Sequence, residues 1–332
     1  MKSNRKSART TVKAIALGAL FFGALTLVSI FLLVQAMDPC ISLPLDCAAC
    51  EKPTNLYRNP QPVIIEGYSD DCMEPFVTGD GNYLLFNNSN SPFVDTHIHL
   101  CKRVSKNHFQ HLGFLAGSLS KSKDMAPTID AHGKMFYTCL RSYQKDGHSI
   151  YCGNFAKEKL TNISLAPGQI SGQKPAEINM DCDVSKDGNT LILSRAHFSN
   201  YLLPPDKSDL LLAEKENGEF RIDPAKQGLL SRVNTTTLEY APCQSADRLE
   251  LYFTRASKRP FDGADAKPEP YFRIMVARRP NISAPFDEPE KIETLDGFIE
   301  APTITDDKGE LFFHKKVGDK FRIFCAERKT EK

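Results

Sequence analysis

The stretch that decides the fold is Glu74-Pro75-Phe76-Val77-Thr78-Gly79-Asp80-Gly81-Asn82-Tyr83-Leu84-Leu85-Phe86, because it returns four more times along the chain. The later copies are Ala126-Pro127-Thr128-Ile129 with Gly133-Lys134-Met135-Phe136-Tyr137, then Asp181-Cys182-Asp183-Val184 with Asp187-Gly188-Asn189-Thr190-Leu191-Ile192-Leu193. They continue with Ala241-Pro242-Cys243-Gln244 before Leu249-Glu250-Leu251-Tyr252-Phe253, and with Ala301-Pro302-Thr303-Ile304 before Glu310-Leu311-Phe312-Phe313. The anchors Pro75, Pro127, Cys182, Pro242 and Pro302 are spaced by 52, 55, 60 and 60 residues. A period of that size marks repeated β-sheet modules, each burying its faces against its neighbours.

Outward from the motif the pattern stays β. A further strand follows each copy, at 98–101, 150–152, 210–213, 274–277 and 323–326, and candidate first strands precede it, for instance at 63–66, 112–115 and 291–294. Four short strands per 52–60 residues fit a propeller blade with its loops. The fold expected is therefore all-β, a propeller of four-stranded blades spanning 62–328. Five blades follow from the count of motifs; six is the alternative, with a degenerate blade drawn from 198–230. Because the last strand ends near the C-terminus, a strand near Val63 is expected to complete the last blade and hide its edge.

The N-terminus is different. Lys2, Arg5, Lys6, Arg9 and Lys13 form a basic tail (1–13) before an uncharged apolar segment, 14–37, long enough to span a bilayer. The basic flank predicts a cytoplasmic tail and a single-pass signal anchor with everything after Met37 exported to the periplasm or beyond. A cleaved signal is the alternative. Residues 38–61, with Pro39, Pro44, Pro53, Pro60, Cys40, Cys47 and Cys50, read as a stalk. Without the five N-terminal cations the chain has 37 basic against 41 acidic residues, which argues against a nucleic-acid partner.

All ten cysteines lie in the exported part. In a symmetric hairpin between 135–140 and 149–153, Cys139 and Cys152 face each other, so a disulfide is expected there, with buried thiols as the alternative. His97, His99 and Cys101 alternate on one strand, with His108 and His111 near, a pattern that suits zinc or copper; solvated loop ends are the plainer reading. No nucleotide, flavin or other cofactor signature is present.

The repeats resemble the WD-like propeller units of the TolB type, in which Pro, an apolar residue, Ser/Thr, Asp-Gly and an apolar-aromatic strand follow in this order. That resemblance implies an exported, non-catalytic propeller of the bacterial envelope, binding a protein or an envelope component through loops at one face. The connections 87–97, 154–179, 197–208 and 256–271 are the surface expected for that role. Acidic residues stand just before the anchors, namely Asp71, Glu74, Asp124, Asp181, Glu239 and Glu300. They either cap backbone N–H groups at blade turns or ring one channel mouth. Glu74-Pro75 and Glu300-Ala301-Pro302 are also similar to the acid-Pro segments of five-bladed propeller glycosidases. On that resemblance Glu74, Glu300 and one of Asp181 or Glu239 would act as acid and base. The chain has no Trp to stack on a sugar, only Tyr and Phe.

Overall fold

The computed structural model describes residues 51–90, 95–117, 123–172, 177–199, 205–258 and 270–329. The expected anchor at 14–37 and the three stalk cysteines lie outside them, and among the described residues no helix is long and apolar enough to cross a membrane. The described chain is nearly all β. Each motif forms the innermost strand of an antiparallel unit: Met73–Val77, Asp124–Ile129, Glu177–Val184, Leu238–Gln244 and Ile299–Ile304. The aromatic strand after each turn lies second, as Tyr83–Asn87, Lys134–Cys139, Thr190–His197, Glu250–Lys258 and Glu310–Val317. Third and fourth strands follow outward, and the inner strands touch in the cyclic order first, second, third, fourth, fifth and back to first. This arrangement is consistent with a β-propeller.

The turn that closes each inner pair has a repeated physical cause. In four units a hydroxyl two residues before an aspartate donates to it at 2.6 Å: Thr78 to Asp80, Ser185 to Asp187, Ser245 to Asp247 and Thr305 to Asp307. The same carboxylate oxygen accepts the backbone N–H two residues further on. In the second unit Asp130 takes the hydroxyl's place and accepts N–H bonds from His132 and Lys134, both at 2.8 Å. The Asp-Gly part of the motif is thus a turn device, and its mutants belong to stability.

Strand alternation then supplies the core. Leu84 and Phe86 point toward the fifth unit while Leu85 points toward the second, and the same parity sends Ile192 to the fourth unit and Leu191 and Leu193 to the second. One buried apolar cluster fills each of the five seams between neighbours.

The seams are also sewn by hydrogen bonds at one end of the axis. The residue before each anchor proline has positive φ: Glu74 49°, Ala126 45°, Ala241 48° and Ala301 55°. The ladder register slips at these points. The bulge turns an N–H away from its own sheet and toward the preceding unit. Glu74 N–H donates to His314 Nδ1 (3.2 Å), Ala126 N–H to Asn87 Oδ1 (3.2 Å), Ala241 N–H to Asp181 Oδ2 (3.2 Å) and Ala301 N–H to Thr254 Oγ1 (2.9 Å). At the remaining seam the Thr138 hydroxyl donates to the Met180 carbonyl at 2.7 Å. Proline is tolerated beside the bulge because an innermost strand has no inward partner for the N–H it lacks.

Three expectations are corrected. The stalk boundary moves, because Pro53–Thr54 pairs with the fourth unit and Tyr57–Pro62 with Lys320–Arg328, so the N-terminal strand that completes the fifth unit begins before Val63. Residues 198–230 hold Lys207–Glu216 and Glu219–Arg221, which complete the third unit, and 154–179 contains the outer strand Lys159–Leu165 of the second.

The disulfide expectation fails on register: Cys152 pairs with Phe136 and Cys139 with Asp124, because the connection contains a short helix, Tyr143–Asp146, and is not symmetric. The odd offset sends the two thiols to opposite faces. Cys139 packs in the seam between the first and second units and Cys152 in that between the second and third. Both are free thiols.

The seam between the fourth and fifth units is locked by Arg328, whose guanidinium grips Glu250 at 2.7 and 2.8 Å while Tyr252 donates to the same carboxylate at 2.6 Å. Replacing Arg328 with Met removes two charge-assisted hydrogen bonds from a buried carboxylate that Lys308 and Arg278 approach only at 3.8 and 3.9 Å, and should cost about 2 kcal/mol, read as a lower midpoint in chemical denaturation. Alkylation of the denatured, unreduced chain should label both Cys139 and Cys152 in peptide mass spectrometry.

Candidate functional site

The acidic residues before the anchors fall into two positional classes that sequence alone did not separate. Three residues before the anchor stand Asp124, Asn179 and Glu239, each met by an arginine from the second strand of its own unit or just beyond it. Arg141 Nη2 lies 3.2 Å from Asp124 Oδ1, Arg195 Nε donates to Asn179 Oδ1 at 3.0 Å, and Arg255 Nε donates to Glu239 Oε1 at 2.8 Å. Glu239 is wholly buried and also accepts from Thr235 N–H (3.0 Å), the Thr235 hydroxyl (2.7 Å) and the Thr237 hydroxyl (2.9 Å). It is a structural cap. Asp71 likewise accepts the Phe321 N–H at 2.9 Å.

One or two residues before the anchor the side chains instead meet at the axial mouth. Glu74 comes from the first unit, Asp181 from the third, Tyr240 from the fourth and Glu300 from the fifth. The strained bulge supplies the position of Glu74 beside the axis, Asp181 follows a register shift without positive φ, and both remain partly exposed there. Asn90 donates to Glu74 Oε1 at 3.0 Å. Glu300 accepts from the Tyr240 hydroxyl on Oε1 and is bonded through Oε2 to His314 Nε2 at 3.0 Å. The second unit contributes only Met125 and Ala126 to this rim.

The electrostatics follow from burial and like charge. Burial raises the Glu74 carboxyl most; the Glu300 charge adds to this, while His314 and Asn90 oppose it, and the net shift is upward. Asp181 is pushed well above the ordinary range by burial and then by the Glu74 charge, despite the Ala241 N–H it accepts. Tyr240 is pushed up by burial and the adjoining Glu300. Burial alone would lower His314, but its bond to Glu300 and the charges of Glu74 and Glu300 bring it above its usual value. One mouth thus holds carboxyls that retain protons readily beside a carboxylate held by two partners, a pairing that can donate to one ligand oxygen and accept from another.

At the mouth itself the space along the axis is about 30 Å³, roughly one water, lined by Glu74 and Asp181 and, further in, by Phe76, Thr128, Asp183, Cys243 and Thr303. A second tier of seam bonds crosses there: Val77 N–H to Thr303 (3.3 Å), Val184 N–H to Thr128 (3.3 Å) and Gln244 N–H to Asp183 (2.8 Å). Burial lifts Asp183 to about 7. The passage widens to about 450 Å³ at the opposite, turn-bearing end.

The histidine group has a different character. His99 Nδ1 lies 2.9 Å from His111 Nε2, and the His99 ring stacks on Phe86 and meets Tyr68 and Phe114 edge-on. Burial, with His111 and His97 adding to it, lowers His99 to about 4. Cys101 shares the Phe86 side of the strand, His97 lies against Phe114, and His108 sits 3.4 Å from Glu66. Among the described residues no group of three or more His, Cys, Asp or Glu side chains could hold a metal ion.

Sequence reading missed Tyr240 and His314. Aligning the second strands of the repeats exposes the latter, since His314 stands where the other units have Asn87, Thr138, Ser194 and Thr254.

No family model matches the chain and no curated protein matches it. Among solved structures, TolB from Acinetobacter baumannii overlaps it at 12% identity and a TM-score of 0.43, covering 79% of this chain and 56% of that one. Bacillus subtilis arabinanase Arb43A overlaps at 13% identity and 0.47, covering 78% and 94%. The α-L-arabinofuranosidase PaAbf62A of Podospora anserina overlaps at 12% and 0.47, covering 85% and 99%. TolB proteins and propeller glycoside hydrolases are thus both structural neighbours, and no residue role is carried over from either.

A raised folded-state carboxyl contributes stability while protonated, and that contribution is lost as pH rises through its folded pKa. Glu74→Gln, which keeps an acceptor for Asn90, should therefore stabilise the protein by ~1 kcal/mol at about pH 8 and by nothing at about pH 3. Melting temperatures of the two proteins across that range are the check.

Proposed function

We propose that this chain is a single-pass, membrane-anchored exported protein whose domain is a five-bladed propeller of the TolB-like kind. It captures a hydroxyl-rich envelope ligand at the mouth bearing Glu74, Asp181, Tyr240 and Glu300. The observation that carries this reading is the convergence of those groups from four units on one mouth, at a cost in charge repulsion that the fold does not require. Ala126, Ala241 and Ala301 occupy the same bulge position as Glu74 without any charge. Connections between second and third strands leave at the same end, since Asn87 pairs with Met73 and Thr138 with Met125. They form a rim around the mouth, where recognition by loops on a rigid scaffold would operate.

A second reading, cleavage of a glycosidic bond at the same mouth, is favoured by one specific feature. Carboxyl groups from three units stand at one mouth, and Glu74 and Asp181 are pushed toward the protonated form that a general acid needs.

The test uses the full chain in detergent with fractionated envelope polysaccharide, measuring retained fragments and released reducing ends. Capture predicts saturable retention that Glu300→Gln weakens about tenfold or more, since a hydrogen bond to a charged group is lost. Reducing ends released by the wild type and not by the variant would replace capture with cleavage. Equal retention by wild type and Glu300→Gln would remove the mouth from the ligand site.

A further inference from the structure

His314 does more than the seam requires. At the seam between the fourth and fifth units a threonine hydroxyl, Thr254 Oγ1, accepts the bulge N–H of Ala301 at 2.9 Å, and Asn87 does the same for Ala126 at 3.2 Å. One acceptor atom suffices for closure. At the seam between the fifth and first units the acceptor is an imidazole, which is fully buried and carries a second nitrogen on its far edge. That nitrogen, Nε2, lies 3.0 Å from Glu300 Oε2.

The protonation of the ring is dictated by a group that cannot change its role. A backbone amide only donates, so the Glu74 N–H bond at 3.2 Å requires a lone pair on Nδ1. The neutral ring then carries its proton on Nε2 and donates it to Glu300. The Tyr240 hydroxyl occupies the other carboxylate oxygen. Each oxygen keeps one lone pair, and the carboxylate plane is held from two sides.

We infer that His314, set in its Nε2–H tautomer by the Glu74 backbone amide, is the positioning residue that aims Glu300 into the axial mouth. This rests on the reading of that mouth as the ligand site. His314 touches no ligand itself: it lies behind Glu300, with Phe321 edge-on at 5.3 Å. The charged groups that face it are Glu300 on its own unit, Glu74 on the first, and Asp71 on the connection entering the first. A second proton on Nδ1 would displace the Glu74 N–H, so acidification loosens the seam while the imidazolium keeps its Nε2–H bond to Glu300.

The test is carried out on the full chain in detergent micelles and needs no ligand. Nitrogen-15 shifts of the imidazole, assigned by loss of the signal in His314→Gln, report the tautomer, and carbon-13 labelling of glutamate, assigned by loss of the signal in Glu300→Gln, reports the hydrogen bonding of the Glu300 carboxyl. The expected result is a neutral Nε2–H ring at alkaline pH, above the raised titration of the imidazole, with the Nδ1 lone pair lost on acidification. His314→Leu should move the Glu300 carboxyl carbon-13 signal away from its wild-type position, because a donor to Oε2 is lost, and His314→Gln, whose amide can donate from a similar place, should restore it. An Nδ1–H ring, or a Glu300 signal unmoved in a His314→Leu protein that still melts cooperatively, overturns the inference. If His314→Leu does not fold, the wild-type ring shifts and the His314→Gln spectrum still decide. A Glu300 that shifts as expected in a protein retaining no polysaccharide would leave the positioning role standing and refute the ligand reading alone.

Discussion

Closure of this molecule depends on turning one backbone N–H out of its own sheet and into the neighbouring one in four of the five units. The bulge before each anchor proline accomplishes this, and the positive φ it imposes on Glu74, Ala126, Ala241 and Ala301 is local strain repaid by a hydrogen bond across a seam. Apolar clusters hold the seams but are tolerant of sliding, whereas a directed bond from a fixed N–H sets the height of one sheet against the next. The register slip, the anchor proline and the polar residue on the second strand are three parts of one device. Its third-unit version departs, with Cys182 for proline and a hydroxyl-to-carbonyl bond at the preceding seam.

The candidate site is made from the same device. Where the bulge residue is alanine the seam is closed and nothing else happens. Where it is Glu74 the same backbone geometry delivers a carboxyl to the axis, and Asp181 reaches it from the one unit whose inner strand lacks the positive φ. Where the seam acceptor is His314 in place of threonine, an extra donor reaches Glu300. The proposed function is thereby confined to a few side chains on a frame whose repeats supply the precision, in keeping with the general finding that chemistry is grafted onto folds rather than implied by them. The burden is electrostatic: carboxyls drawn together at the mouth repel, and burial raises Glu74 and Asp181 further.

Much of the architecture was readable beforehand because its causes are local. The hydroxyl–aspartate turn, the aromatic strand and the anchor are contiguous, so Thr78 through Phe86 announces a strand, a turn and a strand without knowledge of the partner sheet. The hidden edge was legible as well, and Tyr57–Pro62 fills it a few residues earlier than Val63 suggested. The cysteine pairing was not legible: whether Cys152 faces Cys139 or Phe136 depends on how a short helix inside the connection spends its residues, and an odd offset reverses the face. The acidic residues lay between these cases. Their position before the anchors was visible, but one step along the strand separates Glu239, buried under two threonines and an arginine, from Tyr240 at the mouth.

By itself the sequence determined the repeat, the turns, the alternation that sends successive side chains to opposite seams, and the apolar segment at 14–37, since each is a property of residues near one another in the chain. Only the tertiary structure decided which carboxyls meet. Glu74 and Glu300 are 226 residues apart, and Asp181 approaches both only when the ring returns on itself. Their chemistry is a property of distance through space and of shared burial, and neither quantity exists until the last unit closes against the first.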